Sequence, residues 1–125
     1  MEEKQKRVIV LADDSVSIRE AVSFGLNEAD FEVLQAENGA EALRYFDGRQ
    51  VDLLLTDFHM PEMNGLELIR NIRGLETYQF IPILVLTTET QKKIILQAKK
   101  AGGTGWLAKP FKMENLLQTI RRLIR

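Results

Sequence analysis

Short apolar runs alternate five times along the chain with longer stretches in which apolar residues recur at every third or fourth position. The runs at 8–12, 51–56 and 81–87 are almost continuously apolar, which is typical of parallel strands buried on both faces of a sheet. The run at 31–36 alternates between apolar and polar residues, so it predicts a strand at the edge of the sheet. The five predicted strands are Val8–Ala12, Phe31–Ala36, Val51–Thr56, Ile81–Thr87 and Thr104–Ala108.

The stretches between these runs carry the start and stop signals of helices. Ser15 is a helix-capping residue, and the pair Asn38-Gly39 predicts the start of a second helix that ends near Gly48. Gly74 predicts the end of a third helix, Gly102-Gly103 end a fourth, and the fifth continues to the C-terminus. The apolar faces of these helices carry, in order, Ile18, Val22 and Leu26; Ala42, Leu43 and Phe46; Leu66, Ile69 and Ile72; Ile94, Ile95, Ala98 and Ala101; and Met113, Leu116, Leu117, Ile120, Leu123 and Ile124.

These elements predict a doubly wound α/β fold with a parallel five-stranded sheet and helices on both faces. Strands that are separated by helices pair in parallel through right-handed crossovers. The connections between the elements are only a few residues long, and no linker or low-complexity segment interrupts them. Because 125 residues is the length of one domain, we expect 1–125 to form a single domain.

The charge and composition exclude several classes of protein. Lys and Arg together number 17 and Asp and Glu number 18, and this balance argues against a dedicated nucleic-acid-binding protein, which is usually basic. The absence of cysteine excludes a disulfide framework, a cysteine nucleophile and a zinc–thiolate site. The N-terminal MEEKQKR lacks a following signal-peptide core, and no apolar run approaches the ~18 residues of a membrane span. We therefore expect a cytoplasmic protein without membrane insertion.

Polar residues follow or end four of the five predicted strands. Asp13 and Asp14 follow the first strand, Asp57 follows the third, Thr87 ends the fourth, and Lys109 follows the fifth. A lone acidic residue at a strand end is usually a helix cap or a turn former, and a lone Thr or Lys there carries almost no signal. In a doubly wound sheet, however, ligands bind outside the carboxyl ends of the strands. The combination therefore predicts one site at that edge.

The residue types at this edge indicate phosphoryl chemistry. Carboxylates that are held close together repel and raise one another's pKa values, so a positive charge should neutralise them. Lys109 supplies one charge, and Mg²⁺, which binds one or two carboxylates together with waters and phosphate oxygens, supplies two. We expect Asp57, at the end of a buried strand, to be the most firmly held carboxylate and a nucleophile that forms an aspartyl phosphate. The metal and Lys109 would neutralise charge on the transferring group, and Thr87 would donate a hydrogen bond to it.

Four motifs carry a family resemblance that covers nearly the whole chain. They are LADDS at 11–15, LTDFHMPEMNG at 55–65, LTTE at 86–89 and AGGTGWLAKPF at 101–111. Together they resemble response-regulator receiver domains, and most closely the single-domain chemotaxis type. The resemblance implies a flavodoxin-like (βα)5 fold with strand order 2-1-3-4-5, an order that the apolar pattern alone does not give.

The resemblance also implies a role for each residue of the predicted site. Asp57 is the implied phosphoacceptor. Asp14 is the implied direct ligand of Mg²⁺, and Asp13 is implied to act largely through water. The backbone carbonyl of His59 is the third implied protein ligand, a role that does not involve its imidazole. Lys109 is the implied ammonium partner of the phosphoryl group.

Thr87 and Trp106 are the implied switch residues. The Thr87 hydroxyl is implied to move toward the phosphoryl group. Trp106 stands three residues before Lys109, where many receivers carry a Tyr or Phe that rotates inward. Because Trp is larger, two interpretations stay open for it, a switch residue and a packed, half-exposed aromatic. The resemblance also implies a cis peptide at Lys109-Pro110, for which proline lowers the cost.

Residues outside the central set are implied to tune kinetics and partner choice. His59 and Glu89 stand two residues after Asp57 and Thr87, at positions that modulate the dephosphorylation rate in the family. The alternative for His59 is an exposed loop residue. A basic set on the fourth helix could receive an acidic or amphipathic partner, or be a solvated face; it comprises Lys92, Lys93, Lys99 and Lys100.

The resemblance implies a stand-alone response regulator of two-component phosphorelay signalling, of the chemotaxis type. A histidine kinase would phosphorylate Asp57 in the presence of Mg²⁺. The phosphoryl group would then switch a binding surface around the fourth helix, fifth strand and fifth helix. The implied downstream target is a flagellar motor switch or another signalling protein. Such a protein is a phosphoacceptor and no enzyme beyond assisting its own phosphorylation and dephosphorylation, and we expect it to be a monomer.

Two other classes of function stay open from the sequence. An aspartyl-phosphate phosphatase of the haloacid dehalogenase type needs a second acid two residues after its nucleophile, where this chain has His59. A phosphorylation-independent adaptor would have no use for Asp57, Asp14, Thr87 and Lys109 together. Nucleotide binding is disfavoured because the chain has no GxxxxGK[ST] loop.

Overall fold

The computed structural model describes residues 5–88 and 92–124. Within these ranges, strands and helices alternate along the chain, with one additional 3₁₀ turn. None of the helices described there combines the length and apolarity that crossing a membrane requires. The elements are β1 (Val8–Ala12), α1 (Val16–Glu28), β2 (Glu32–Ala36), α2 (Gly39–Leu43), β3 (Leu53–Asp57), α3 (Gly65–Arg73), the 3₁₀ turn (Glu76–Tyr78), β4 (Ile83–Thr87), α4 (Lys92–Ala101), β5 (Gly105–Ala108) and α5 (Met113–Ile124).

The five strands form one parallel sheet in the order β2-β1-β3-β4-β5. This confirms the order that the family resemblance implied, and it places β2 at an edge as its alternating pattern predicted. The register aligns the ends of neighbouring strands to within one residue, with Asp57 opposite Leu86 and Thr87 opposite Ala108. The carboxyl ends of the central strands therefore open on a single edge of the sheet.

The core lies in two layers, one on each face of the sheet. All residues of β1, β3 and β4 are buried, as their continuous apolar runs predicted. Side chains that point to one face pack against α1 and α5, among them Leu11, Leu55 and Leu86. Side chains that point to the other face pack under α2, α3 and α4, and Val10 and Leu54 are examples. Helices therefore cover both faces, as predicted.

Side-chain caps start the first three helices. The Ser15 hydroxyl accepts a hydrogen bond from the Ile18 N–H, which confirms the predicted cap of α1. Asn38 caps α2 in the same way, and Asn64 and Glu67 form a reciprocal capping box at α3. These caps fix where each helix begins, directly after the loops that follow β1, β2 and β3.

The predicted second helix is too long, because α2 ends at Leu43 rather than near Gly48. The chain continues for three residues as a tighter turn, in which the N–H of Phe46 donates to the carbonyl of Leu43. Two long-range contacts hold that turn. The Tyr45 hydroxyl donates to the carbonyl of Gln35 at 2.7 Å, and the Phe46 ring packs edge-on against another aromatic ring with centroids 5.0 Å apart.

The third and fourth strands begin two residues later than predicted, at Leu53 and Ile83. Asp52 contacts Val8 through both its backbone and its side chain, since its N–H donates to the carbonyl of Val8 at 2.8 Å and its Oδ2 accepts the N–H of Val8 at 2.7 Å. Pro82 has no N–H to offer to a neighbouring strand. At the other end, β3 includes Asp57 as its last residue rather than stopping before it.

One arginine fastens the C-terminal end of α4 to the end of α3. Arg73 donates from Nε and Nη2 to the carbonyl of Gly102, at 3.1 and 2.7 Å. Its Nη1 donates to the carbonyls of Tyr78 and Gln79, at 3.1 and 3.0 Å. Gly102 has a φ of 118°, and a Cβ atom there would lie 2.7 Å from the Arg73 side chain. Both the backbone conformation and the neighbouring side chain therefore require glycine.

Candidate functional site

Three carboxylates converge at the carboxyl edge of the sheet. One carboxylate oxygen from each of Asp13, Asp14 and Asp57 lies within 4.8 Å of the others. Asp13 and Asp14 follow β1 directly, and Asp57 ends the neighbouring strand β3. Carboxylate oxygens are the ligands that Mg²⁺ and other hard cations prefer, so the donor set fits such an ion.

Asp13 is fully buried and is held through all of its polar groups. Its Oδ1 accepts the N–H of Ser15 at 2.9 Å, and its Oδ2 lies 2.9 Å from Lys109 Nζ. Its own N–H donates to the carbonyl of Ala36 at 3.1 Å, and its carbonyl accepts from Arg19 Nη1 at 2.5 Å. Asp13 is thus held more firmly than Asp57, although the sequence predicted Asp57 to be the most firmly held carboxylate.

Asp57 is 9% exposed at the end of β3. Its Oδ1 accepts the N–H of Phe58 at 2.8 Å, and its Oδ2 lies 3.2 Å from Lys109 Nζ. Burial raises the pKa of Asp57 above its ordinary value, Lys109 opposes this rise, and the charge of Asp13 adds to it. Repulsion between carboxylates therefore contributes, as expected, but burial is the larger cause.

Lys109 lies between the two carboxylates, directly after β5. Burial disfavours its charged form, but the hydrogen bond to Asp13 and the charges of Asp13 and Asp57 outweigh burial and raise the pKa of Lys109. The backbone N–H of Lys109 donates to the carbonyl of Thr87 at 2.9 Å, and this bond holds the loop after β5 against the end of β4. The Lys109-Pro110 peptide is cis, as the family resemblance implied.

Asp14 differs from its two neighbours in the cluster because its side chain is exposed. Among the residues that the structure describes, none donates a hydrogen bond to its carboxylate or forms an ion pair with it. Asp13 and Asp57 therefore each have a partner at both carboxylate oxygens, whereas the carboxylate of Asp14 is open to solvent. Asp14 is thus the carboxylate most available to a cation.

The predicted hydroxyl is on the strand next to β3, and the predicted imidazole is two residues after Asp57. Thr87 is the last residue of β4 and is 3% exposed, next to the strand that carries Asp57. His59 is exposed, and its ring packs edge-on against Phe58 with centroids 4.9 Å apart. Glu89, the other residue predicted to tune kinetics, lies outside the described residues.

The predicted partner surface is separate from the carboxylate cluster. Trp106 is on β5, opposite Val85 of β4, and is 44% exposed. Lys92, Lys93 and Lys99 are exposed on α4. Half-exposure of Trp106 leaves both interpretations of this residue open, because the ring is partly packed and partly accessible.

Arg19, which contacts the carbonyl of Asp13, was not among the predicted site residues. A signal for it was present. Arg19 is the single basic residue in the sequence of α1, and it stands near the N-terminal end of the helix. A cation there opposes the helix dipole, so its position indicates a role other than stabilising the helix.

Comparison with known proteins agrees with this geometry. The family model of the response regulator receiver domain matches residues 9–121. The chemotaxis protein CheY1 of Helicobacter pylori is 38% identical over 105 residues, covering 82% of this chain and 85% of that protein. A chemotaxis protein CheY homolog of Campylobacter jejuni is 37% identical over 120 residues, covering 89% and 92%.

Solved structures give the same result. The chemotaxis response regulator CheY4 of Vibrio cholerae is 41% identical and superposes with a TM-score of 0.90, covering 95% of this chain and 99% of that one. The receiver domain of the sensor histidine kinase PA1611 from Pseudomonas aeruginosa, described with a magnesium ion in its active site cleft, is 27% identical. It has a TM-score of 0.88 and covers 96% and 98%. The chain belongs to the family of response-regulator receiver domains.

Proposed function

We propose that this chain is a stand-alone, chemotaxis-type response regulator that accepts a phosphoryl group on Asp57. The observation that carries the proposal is the position of Lys109 Nζ, 3.2 Å from Asp57 and 2.9 Å from Asp13, within a cluster of three carboxylates. A carboxylate nucleophile beside an ammonium group is the arrangement that phosphoryl transfer needs. In this proposal, residues 1–125 form one receiver domain.

The transfer itself would use the carboxylate of Asp57 as nucleophile. One of its oxygens forms a bond to phosphorus while the bond from phosphorus to the donor's imidazole nitrogen breaks, and the imidazole leaves with the electron pair. The reaction needs the ionised form of Asp57. Lys109 favours that form, because its charge opposes the rise that burial causes in the pKa of Asp57. The same ammonium would neutralise charge on the phosphoryl oxygens.

The donor set supports a Mg²⁺ site. Asp14 and Asp57 would hold the ion directly, together with the backbone carbonyl of His59. Asp13 is fully buried, unlike Asp14 and Asp57, and its oxygens are bonded to Ser15 and Lys109, which supports a role for Asp13 through water rather than direct ligation. When bound, the ion supplies positive charge to the transferring phosphoryl group.

The switch would start from the charge that phosphorylation adds, about −1.5 to −2. The hydroxyl of Thr87 would donate a hydrogen bond to the phosphoryl group. Because the N–H of Lys109 is bonded to the carbonyl of Thr87, a shift of Thr87 would also reach β5, which carries Trp106. The responding surface would comprise Trp106 and the exposed lysines of α4, and coupling of ~1–3 kcal/mol would change partner affinity about 5- to 150-fold.

The implied partners follow from this role. A histidine kinase would supply the phosphoryl group, and a flagellar motor switch or another signalling protein would bind the switched surface. We propose a cytoplasmic monomer that is no enzyme beyond assisting its own phosphorylation and dephosphorylation. His59 and Glu89 would set the lifetime of the phosphoryl group.

Incubation with acetyl phosphate and Mg²⁺ tests the proposal. The intact mass should increase by one phosphoryl group, and base should remove it. Asp57→Asn should not gain this mass, whereas Asp47→Asn, at an exposed position, should gain it as fast as the parent chain. A phosphoryl group that Asp57→Asn accepts at the parent rate would contradict the assignment, and no gain by the parent chain would contradict the function.

A further inference from the structure

Arg19 makes one polar contact within the described residues, and that contact is to the backbone of the carboxylate cluster. Its Nη1 donates to the carbonyl oxygen of Asp13 at 2.5 Å. No carboxylate in the described part of the chain forms an ion pair with it. A cation in the first turns of α1 opposes the helix dipole, which disfavours it there. The contact to Asp13 is therefore the feature that accounts for an arginine at this position.

The bond to this carbonyl has a consequence for the next residue. The carbonyl of Asp13 and the N–H of Asp14 belong to one planar peptide group. Holding the oxygen fixes the orientation of the whole plane, and thus the direction in which the chain leaves toward the Cα of Asp14. The other bonds of Asp13 hold its carboxylate and its own N–H, which belongs to the preceding peptide group, so they do not fix the plane between Asp13 and Asp14.

We infer that Arg19 is a positioning residue for Asp14. It holds the exposed carboxylate of the cluster through the backbone, without contacting a bound ion. This inference rests on the proposed function, because it assumes that Asp14 binds Mg²⁺. Asp14 has no bond of its own within the described residues, so the peptide plane is what limits where its carboxylate can lie.

The expected effect is a loss of metal affinity. Mg²⁺ demands nearly ideal octahedral geometry and tolerates little displacement of its ligands. Removal of a residue that orients a metal ligand costs about 10- to 100-fold in affinity. Because Arg19 acts through the backbone, we expect the lower end, about tenfold, when Arg19 is replaced by Met.

Two rival roles predict different results. If Arg19 acted only as a positive charge near the carboxylates, it would repel the cation, and Arg19→Met would bind Mg²⁺ more tightly. If Arg19 only stabilised the fold, Arg19→Met would lower the free energy of unfolding and leave Mg²⁺ affinity unchanged. The sign of the change in affinity therefore separates positioning from charge.

The experiment is a titration of the ¹⁵N-labelled protein with MgCl₂, followed by the amide signals at the carboxyl edge of the sheet. The variants are Arg19→Met, Arg19→Lys and, as a control at an exposed position of α5, Arg122→Met. We expect the Mg²⁺ dissociation constant to rise about tenfold in Arg19→Met. It should rise less in Arg19→Lys, which keeps a donor, and stay unchanged in Arg122→Met.

An unchanged or lower dissociation constant in Arg19→Met would overturn the inference while leaving the proposed function intact. No binding by the parent chain at this edge would instead contradict the magnesium site itself, and the inference with it. If Arg19→Met does not fold, Arg19→Gln, which lacks the guanidinium and has a shorter side chain, takes its place in the titration. A higher Mg²⁺ dissociation constant than that of the parent chain would then support positioning, and a parent-like one would overturn the inference.

Discussion

Lys109 and Asp13 form an ion pair of 2.9 Å in which the carboxylate is completely buried. The pair is not isolated, because the same ammonium lies 3.2 Å from Asp57. One cation therefore lies against two carboxylates, one directly after β1 and one at the end of β3.

Replacement of Lys109 by Met should destabilise the fold. The buried carboxylate of Asp13 would lose its ion partner, and removal of one partner of a buried pair costs about 3–5 kcal/mol. Urea unfolding measures this loss, with Lys112→Met at an exposed position as the control. Mg²⁺ should restore more stability to Lys109→Met than it adds to the parent chain, because the ion replaces missing positive charge. Equal stabilisation of both chains would contradict that explanation.

Replacement of Asp57 by Asn should stabilise the fold at neutral pH in the absence of Mg²⁺. Burial raises the pKa of Asp57 above its ordinary value of 3.8, so its protonated form is the one that folding favours. That stability is fully present below pH 3.8 and is lost as the pH rises through the higher pKa of the folded state. Asn stays neutral, so its advantage should appear at neutral pH and vanish in acid.

Urea unfolding of Asp57→Asn and the parent chain at both pH values measures this advantage. Glu20→Gln, at an exposed position of α1, controls for the loss of one negative charge. An advantage of Asp57→Asn that does not depend on pH would assign the effect to packing rather than to ionisation.

Replacement of Gly65 by Ala should disturb Asp57, the proposed phosphoacceptor. A Cβ atom at this position would lie 2.5 Å from the carbonyl oxygen of Asp57 and 3.0 Å from the Cα of Phe58. Both neighbours are backbone atoms and cannot rotate away, so we expect a loss of about 1–3 kcal/mol and slower phosphorylation by acetyl phosphate.

Gly74 at the other end of α3 is a matched control. It has ordinary helical dihedral angles, and the nearest atom to an added Cβ is 3.4 Å away. Gly74→Ala should therefore be neutral or stabilise the fold by about 0.4–1 kcal/mol. Equal loss of stability in both variants would mean that close approach to Asp57 is not the cause.

Trp106 should report on the switch by fluorescence. It is the single tryptophan of the chain and is 44% exposed, so a change in its surroundings should shift its emission. We expect saturating beryllofluoride with Mg²⁺ to change the emission of the parent chain and not that of Asp57→Asn. An emission that stays constant in the parent chain would remove Trp106 from the switch and favour its interpretation as a packed aromatic.

Much of this fold could be predicted because the informative residues act locally or repeat at a fixed spacing. The continuous apolar runs gave the buried strands, and Ser15 gave the start of α1. The end of α2 was missed because the contacts that set it are distant in sequence. Tyr45 bonds to Gln35, and the ring of Phe46 packs against that of Tyr78. Such contacts cannot be predicted from the spacing of residues along the chain.

The same distinction applies to the site. Parallel pairing of the strands brings their carboxyl ends together, so the convergence of Asp13, Asp14, Asp57 and Lys109 followed from their positions in the sequence. Which carboxylate is held most firmly could not be predicted from these positions, because this depends on bonds that only the folded loops provide. Arg19 was missed for this reason, since it contacts a backbone oxygen rather than a complementary side chain.

The bonds from Arg73 to the carbonyl of Gly102 would restrict the proposed response of α4 to phosphorylation. They hold the C-terminal end of the helix against the end of α3, at a distance of ten residues, or about 15 Å, from Lys92. A helix held at one end can tilt but cannot slide. Its displacement would be largest at Lys92 and Lys93 and smallest at Ala101, so a partner that binds beside Lys92 would sense the phosphoryl group more strongly than one that binds beside Lys99.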